Sequence, residues 1–160
     1  MALSKTVFIN RSSSKDARAA FAQAVDTMHT ERQSVYIFPE GTRSYSNKPE
    51  MLPFKKGAFH LAVQAQVPVV PVVVANYSNV LDMKRRIFNA GTVPVSVLSA
   101  IETKGMTKDD VDGLAQKVRK VMEDELVRIS EHAKETGIAQ PSGEKAKGLM
   151  DGSMQSSSVQ

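Results

Sequence analysis

The densest chemistry in the chain is Phe38-Pro39-Glu40-Gly41-Thr42-Arg43-Ser44, where a carboxylate, a glycine, two hydroxyls and a guanidinium crowd together. Glycine lets a backbone bend sharply or approach a ligand closely. A guanidinium can hold a phosphate through two parallel hydrogen bonds. The segment reads as an anion-binding loop or as a turn closed by an internal Glu–Arg pair. Lys48, Lys55, Lys56, Lys84, Arg85 and Arg86 follow Arg43, opposed only by Glu50 and Asp82, with Glu40 beside them in sequence. Arg11 directly follows the first strand-like run. Converging cations on one rim would suit a phosphate monoester; a solvated basic face is the plainer reading. Lys84-Arg85-Arg86 is either a surface loop or a contact for anionic lipid.

Other chemistries have little to work with. There is no cysteine, which excludes a thiol nucleophile and a cysteine-ligated metal. The three histidines, His29, His60 and His132, have no metal-ligand spacing and read as structural or solvent-facing. No metal site is expected. Aromatic residues make up 6%, tryptophan is absent, and no aromatic–basic interleaving occurs, so nucleic acid is not an expected partner.

The elements that must position the loop follow from periodicity. Thr6–Ile9 reads as a strand. Ser13 and Asp16 have capping-box spacing. Ala17, Ala20, Phe21, Ala24, Val25 and Met28 then form one face of a helix. Val35–Phe38 is a short buried-type strand halted by Pro39. Glu40–Pro53 is a loop, Ala58–Gln66 a helix, and Val67–Val74 a strand made irregular by Pro68 and Pro71. Val93–Leu98 is a further strand. Thr107 and Asp110 form a second box opening a helix with Val111, Leu114, Ala115, Val118, Met122, Leu126 and Ile129 on its apolar face, ending before Gly137. Strands alternating with helices predict an α/β fold with a mostly parallel sheet and flanking helices. In such sheets ligands bind outside the carboxyl ends of the strands, where Arg11 and the loop after Phe38 would meet.

The 160 residues suit one domain, and the net charge of +4 favours anionic partners. Residues 1–136 read as that domain. Residues 137–160, with four glycines, five serines and no aromatic residue, read as a disordered tail of zero net charge. The first residues lack the pattern of a signal or transit peptide. The most apolar run, Val67–Ala75, is far short of the ~20 residues a spanning helix needs.

At Phe38–Ser44 the sequence resembles the 1-acylglycerol-3-phosphate acyltransferases, the lysophosphatidic acid acyltransferases of glycerolipid synthesis, with a complete F-P-E-G-T-R-S block. The family's following stretch stands here as Leu52-Pro53-Phe54-Lys55-Lys56-Gly57-Ala58-Phe59, and its proline-bearing strand as Val67-Pro68-Val69-Val70-Pro71-Val72. Phe8-Ile9-Asn10-Arg11 is similar to its F-I-D-R block, with Asn10 for the aspartate and Lys5 for the glycine usual upstream. The resemblance covers roughly residues 3–136 and looks closest to the eukaryotic, fungal branch.

The resemblance implies acyl transfer from acyl-CoA, a co-substrate rather than a cofactor, to lysophosphatidic acid, giving phosphatidic acid. It implies substrate binding by Arg11, Glu40, Gly41, Thr42, Arg43 and Lys55, with Pro39, Pro68 and Pro71 supporting the site. It also implies association with a membrane surface, that of the endoplasmic reticulum. One departure is large. The family's N-H-x-x-x-x-D block, whose His is the general base, has no counterpart. Five residues after His29, His60 and His132 stand Ser34, Ala65 and Gly137. The expectation is an N-terminally incomplete, glycerolipid acyltransferase-like domain without its His/Asp dyad, inactive alone. The alternative is a non-catalytic binder of lysophosphatidate or an anionic membrane surface.

Overall fold

The computed structural model describes residues 14–135. The strand expected at Thr6–Ile9, Arg11, the Ser13 cap and the tail at 137–160 lie outside the described residues. The chain divides into two compact units, each built from three stretches. The first takes the chain up to Thr42, Pro53–Val70 and Ser99–Arg119; the second takes Arg43–Leu52, Pro71–Leu98 and the chain from Lys120.

In the first unit, helix α1 (Ser14–Thr30) packs on helix α2 (Gly57–Ala65). Gly57 opens α2 where the Phe21 ring reaches it, 3.5 Å from where a Cβ would stand. Phe59, Leu61, Ala62, Val63 and Ala65 of α2 are buried. Gln66 ends α2 in a left-handed conformation, φ 52°, and its side chain ties the end down. Its Nε2 donates to the Val63 and Met106 carbonyls (2.6 and 3.0 Å), and its Oε1 accepts the Gly105 N–H at 2.6 Å. The fully buried Thr103 donates its hydroxyl to the Val67 carbonyl at 2.7 Å, satisfying a group that would otherwise be stranded. The second capping box forms as expected. The Thr107 N–H donates to Asp110 Oδ2 at 2.7 Å, and the Thr107 hydroxyl accepts the Asp109 N–H at 3.4 Å. A single 3₁₀ turn, Lys108–Asp110, then leads into helix α3 (Val111–Glu135). Val111, Leu114 and Val118 are buried, as the heptad-like spacing predicts.

The second unit holds the strand ladders. Strand β1 (Val72–Val74) pairs with strand β4 (Val95–Val97), register Val72↔Val97 to Val74↔Val95. Between them, strands β2 (Leu81–Asp82) and β3 (Ile87–Phe88) form a hairpin that the sequence reading left out. Val73, Ala75, Leu126 and Ile129 form the core, with Met51, Leu98 and Met122 against it.

Helices and strands mix along the chain, as an α/β fold requires. The strand pairings among the described residues are antiparallel, however, where a mostly parallel sheet is expected. The reason is connectivity. A parallel pair needs a crossover of a dozen or more residues, usually helical. The stretch between β1 and β4 is long enough for a crossover, but it is taken up by the β2–β3 hairpin and holds no helix. The expected strand at Val67–Val74 is also split. Pro68 and Pro71 have no N–H to give a ladder. Val69 makes a lone bridge to Ile101, and regular pairing starts at Val72. Val35–Phe38 belongs to no strand and has no ladder partner among the described residues.

Candidate functional site

The loop after Phe38 begins with a tight turn. The Gly41 N–H donates to the Phe38 carbonyl at 3.1 Å, placing Pro39 and Glu40 at the corner. Proline presets the φ such a corner needs. Gly41 has φ 69°, a left-handed conformation that costs any L side chain about 1–2 kcal/mol. The turn is fastened to a segment fourteen positions downstream of Gly41. The Lys55 N–H donates to the Pro39 carbonyl at 2.6 Å. The Lys55 stem lies across Gly41, for a Cβ there would meet Lys55 Cγ at 3.3 Å. Glycine at 41 therefore serves the turn and makes room for the lysine. Lys55 itself is exposed, so its ammonium can reach a ligand while its methylenes cover the turn. Its neighbour Lys56 is committed elsewhere, paired with Asp112 at 2.7 Å. Phe54 anchors the segment from the other side, stacked on buried Phe59 (centroids 6.1 Å apart) with the Arg119 guanidinium 5.6 Å from its ring centre.

Of the expected substrate-binding residues, the first unit thus brings together Glu40, Gly41 and Lys55, with Pro39 supporting them and Thr42 next along the chain, exposed. Arg43 falls in the second unit and is exposed. Pro68 is exposed and precedes the Val69 bridge. Pro71 is buried, and its carbonyl accepts the Leu98 N–H at 2.9 Å, closing the end of the β1–β4 ladder. The three histidines are exposed and sit on α1, α2 and α3 in turn. A shallow groove lined by His60, Val63, Gln64, Met106, Thr107 and Lys108 contains none of the expected site residues.

The basic residues do not act as one set. Besides Lys56, Arg85 is engaged: its Nε donates to Asp82 Oδ2 at 2.8 Å. Asp82 also accepts the Lys84 and Arg85 N–H groups on Oδ1, each at 2.9 Å. The Arg85 backbone and guanidinium bonds, with the Lys84 N–H, hold this carboxyl below its ordinary range.

Asn76, which the sequence reading did not single out, positions the continuation of the loop. Its Nδ2 donates to the Ser46 and Lys48 carbonyls at 3.1 and 2.9 Å. Its Oδ1 accepts the Ser78 N–H and hydroxyl at 3.1 and 2.7 Å, and its own N–H donates to Ser130 Oγ on α3 at 3.0 Å. Asn76 therefore joins, through its side chain and its backbone N–H, the end of β1, helix α3 and the loop that follows Arg43. The local signal was the Asn-x-Ser spacing of an Asx turn.

A family model described as acyltransferase matches residues 1–75. The chain belongs to this acyltransferase family. It is 46% identical over 134 residues to an uncharacterised acyltransferase of Schizosaccharomyces pombe, covering 84% of this chain and 48% of that protein. It is 44% identical over 129 residues to the 1-acyl-sn-glycerol-3-phosphate acyltransferase of Saccharomyces cerevisiae, covering 81% of this chain and 43% of the yeast enzyme. The human beta enzyme of that name is 43% identical over 143 residues, 89% of this chain and 51% of its own. The chain thus spans about half the length of the curated relatives it matches. Among solved structures, the 1-acyl-sn-glycerophosphate acyltransferase of Thermotoga maritima superposes with a TM-score of 0.55 at 26% identity, over 69% of this chain and 44% of the other.

Proposed function

We propose that this chain forms part of a 1-acylglycerol-3-phosphate O-acyltransferase, which moves an acyl group from acyl-CoA to lysophosphatidic acid to give phosphatidic acid. In that reaction the acceptor hydroxyl attacks the thioester carbonyl. The new O–C bond forms, the C–S bond breaks, and the hydroxyl proton ends on the departing thiolate. The contribution of this chain is the acceptor's headgroup site. The observation that carries the reading is the Pro39–Gly41 turn held under the Lys55 stem, which sets an exposed ammonium beside left-handed backbone. Lys55, Arg43 and Arg11 would supply positive charge to the phosphate, and Glu40, Gly41 and Thr42 would meet the glycerol. Pro39, Pro68 and Pro71 would support the surrounding backbone.

A neutral alcohol attacks a thioester poorly without a base. No histidine of this sequence has an aspartate five positions on, and Glu40 is assigned to substrate. The chain on its own is therefore a binder rather than a catalyst. The same absence favours the second reading, a non-catalytic module that holds lysophosphatidate or an anionic surface.

Residues 1–136 serve as the C-terminal portion of the family domain, followed by a tail. Within it, Val35–Phe38 acts as a parallel strand, joined through α1 to the strand expected at Thr6–Ile9. Because its acceptor is an amphiphile, the whole protein works at a membrane, that of the endoplasmic reticulum. No helix among the described residues is long and apolar enough to cross one.

The test is a titration of the 160-residue chain with lysophosphatidate, alongside an assay with acyl-CoA. Saturable binding without turnover is expected. Lys55→Ala should weaken binding about tenfold, the scale of one lost charge-assisted hydrogen bond. Turnover by the chain would overturn the missing-base argument. Unchanged affinity in Lys55→Ala would remove the headgroup assignment.

A further inference from the structure

The β2–β3 hairpin takes no part in the headgroup site, yet it carries an almost fully exposed phenylalanine, Phe88, next to a basic run. Its construction is specific. Leu81 stands opposite Phe88, and Asp82 opposite Ile87. Cross-strand partners share a face, and successive residues alternate faces. Asp82 and Ile87 are half-buried, while Leu81 is exposed and Phe88 is 87% exposed. The ribbon therefore keeps its apolar pair outward. Met83, at the tip, is 69% exposed.

The tip's charges are sorted as well. Asp82 binds the Lys84 and Arg85 N–H groups and the Arg85 guanidinium, and Arg85 also reaches the Ser78 carbonyl at 3.3 Å. Arg85 thus shapes the loop and its charge is matched. Lys84 lies 5.9 Å from the Tyr45 ring centre, a contact that orients the ammonium without neutralising it. Arg86 is exposed, in a left-handed conformation with φ 56°. Among the described residues, Lys84 and Arg86 at the tip pair with no carboxylate, and they stand beside Met83 and Phe88.

We infer that the Leu81–Phe88 hairpin is a docking finger for an anionic lipid bilayer, with Phe88 and Met83 entering the interface and Lys84 and Arg86 resting on acidic headgroups. Charge complementarity favours this occupant. An apolar pair flanked by cations fits a surface that is negative outside and hydrocarbon beneath. A protein groove would satisfy the apolar pair but not require the cations. A nucleic acid would take the cations but leave Phe88 and Met83 in water. The inference goes beyond the headgroup site and stands on the hairpin alone.

The chain contains no tryptophan, so Phe88→Trp places a sole indole on the finger. The full chain carrying it would be mixed with vesicles of phosphatidylcholine alone, or of phosphatidylcholine and phosphatidylserine in equal parts. A blue-shifted emission, quenched when the phosphatidylcholine carries brominated chains, is expected only with the acidic vesicles. Met83→Trp repeats the readout from the tip. Adding Lys84→Gln and Arg86→Gln should raise the lipid needed for half-binding about 25-fold, at roughly fivefold for each charge. Lys104→Gln with Lys117→Gln removes equal charge from exposed sites off the hairpin and should change little. Equal loss from that control pair would mean diffuse attraction and overturn the finger. An indole left in water while the chain sediments with vesicles would do the same. Loss of the shift in Lys55→Ala would assign binding to headgroup capture instead. Failure to bind monomeric lysophosphatidate would touch only the headgroup site.

Discussion

At the scale of single residues, the candidate site depends on one glycine and one lysine that are distant in sequence. The turn itself is legible, since Pro39 followed by Glu40-Gly41 names both the corner and the left-handed position. That Lys55 would lie over it is not legible, because a contact across a loop depends on where α2 begins. Ionisable residues show the same division. The Arg128 guanidinium, and after it the Ser96 hydroxyl, hold the Glu125 carboxyl down to about 2. The Glu125 side chain is only 12% exposed, while the Arg128 guanidinium that holds it stays open to solvent. A carboxyl depressed on folding stabilises the fold above its unfolded value, about 4.3, and loses that contribution as pH falls through its folded value. Ser96→Ala should raise the Glu125 pKa and start acid unfolding at higher pH. A carbon-detected NMR titration reads the first and acid melting the second; an unmoved midpoint would discard the assigned cause.

At the scale of elements, local patterns placed the helices well and the sheet poorly. α2 and α3 sit where apolar periodicity puts them, and the Thr107 box opens the 3₁₀ turn before α3. Pairing partners are another matter. A run such as Val93–Leu98 is apolar enough for either ladder, and only the connection decides direction. Asn76 is the element-scale joint. Removing its side chain cuts four hydrogen bonds, to Ser46, Lys48 and twice to Ser78. Asn76→Ala should cost about 1–3 kcal/mol, the range for stranding half-buried polar partners. Urea unfolding measures this. A loss below ~0.5 kcal/mol, ordinary for a surface site, would show that water replaces the amide freely.

At the scale of the whole molecule, two units share one long helix, α3, which gives Val111–Arg119 to one and its remainder to the other. Val35, Tyr36, Ile37 and Phe38 are all exposed, although their composition is that of a buried strand. Tyr36 and Phe38 meet edge to face, 5.1 Å apart. If Val35–Phe38 is a parallel strand, as proposed, its amides should exchange slowly with solvent in the 160-residue chain, comparably to those of Val73 and Ala75. Free exchange at Val35–Phe38 beside protected β1 amides would reject the pairing.

Residue types at short spacing carry the family resemblance, the turn chemistry, the helices and the want of a His/Asp dyad. These properties survive without knowledge of where the chain goes next. Folding adds that Lys55 covers Gly41, that Lys56 and Arg85 are spoken for by Asp112 and Asp82, that β1 meets β4 antiparallel, and that Phe88 faces outward. Each depends on which distant segments share a surface. That choice is made by connection length, proline-blocked ladders and the competition for burial, none of which a local pattern contains.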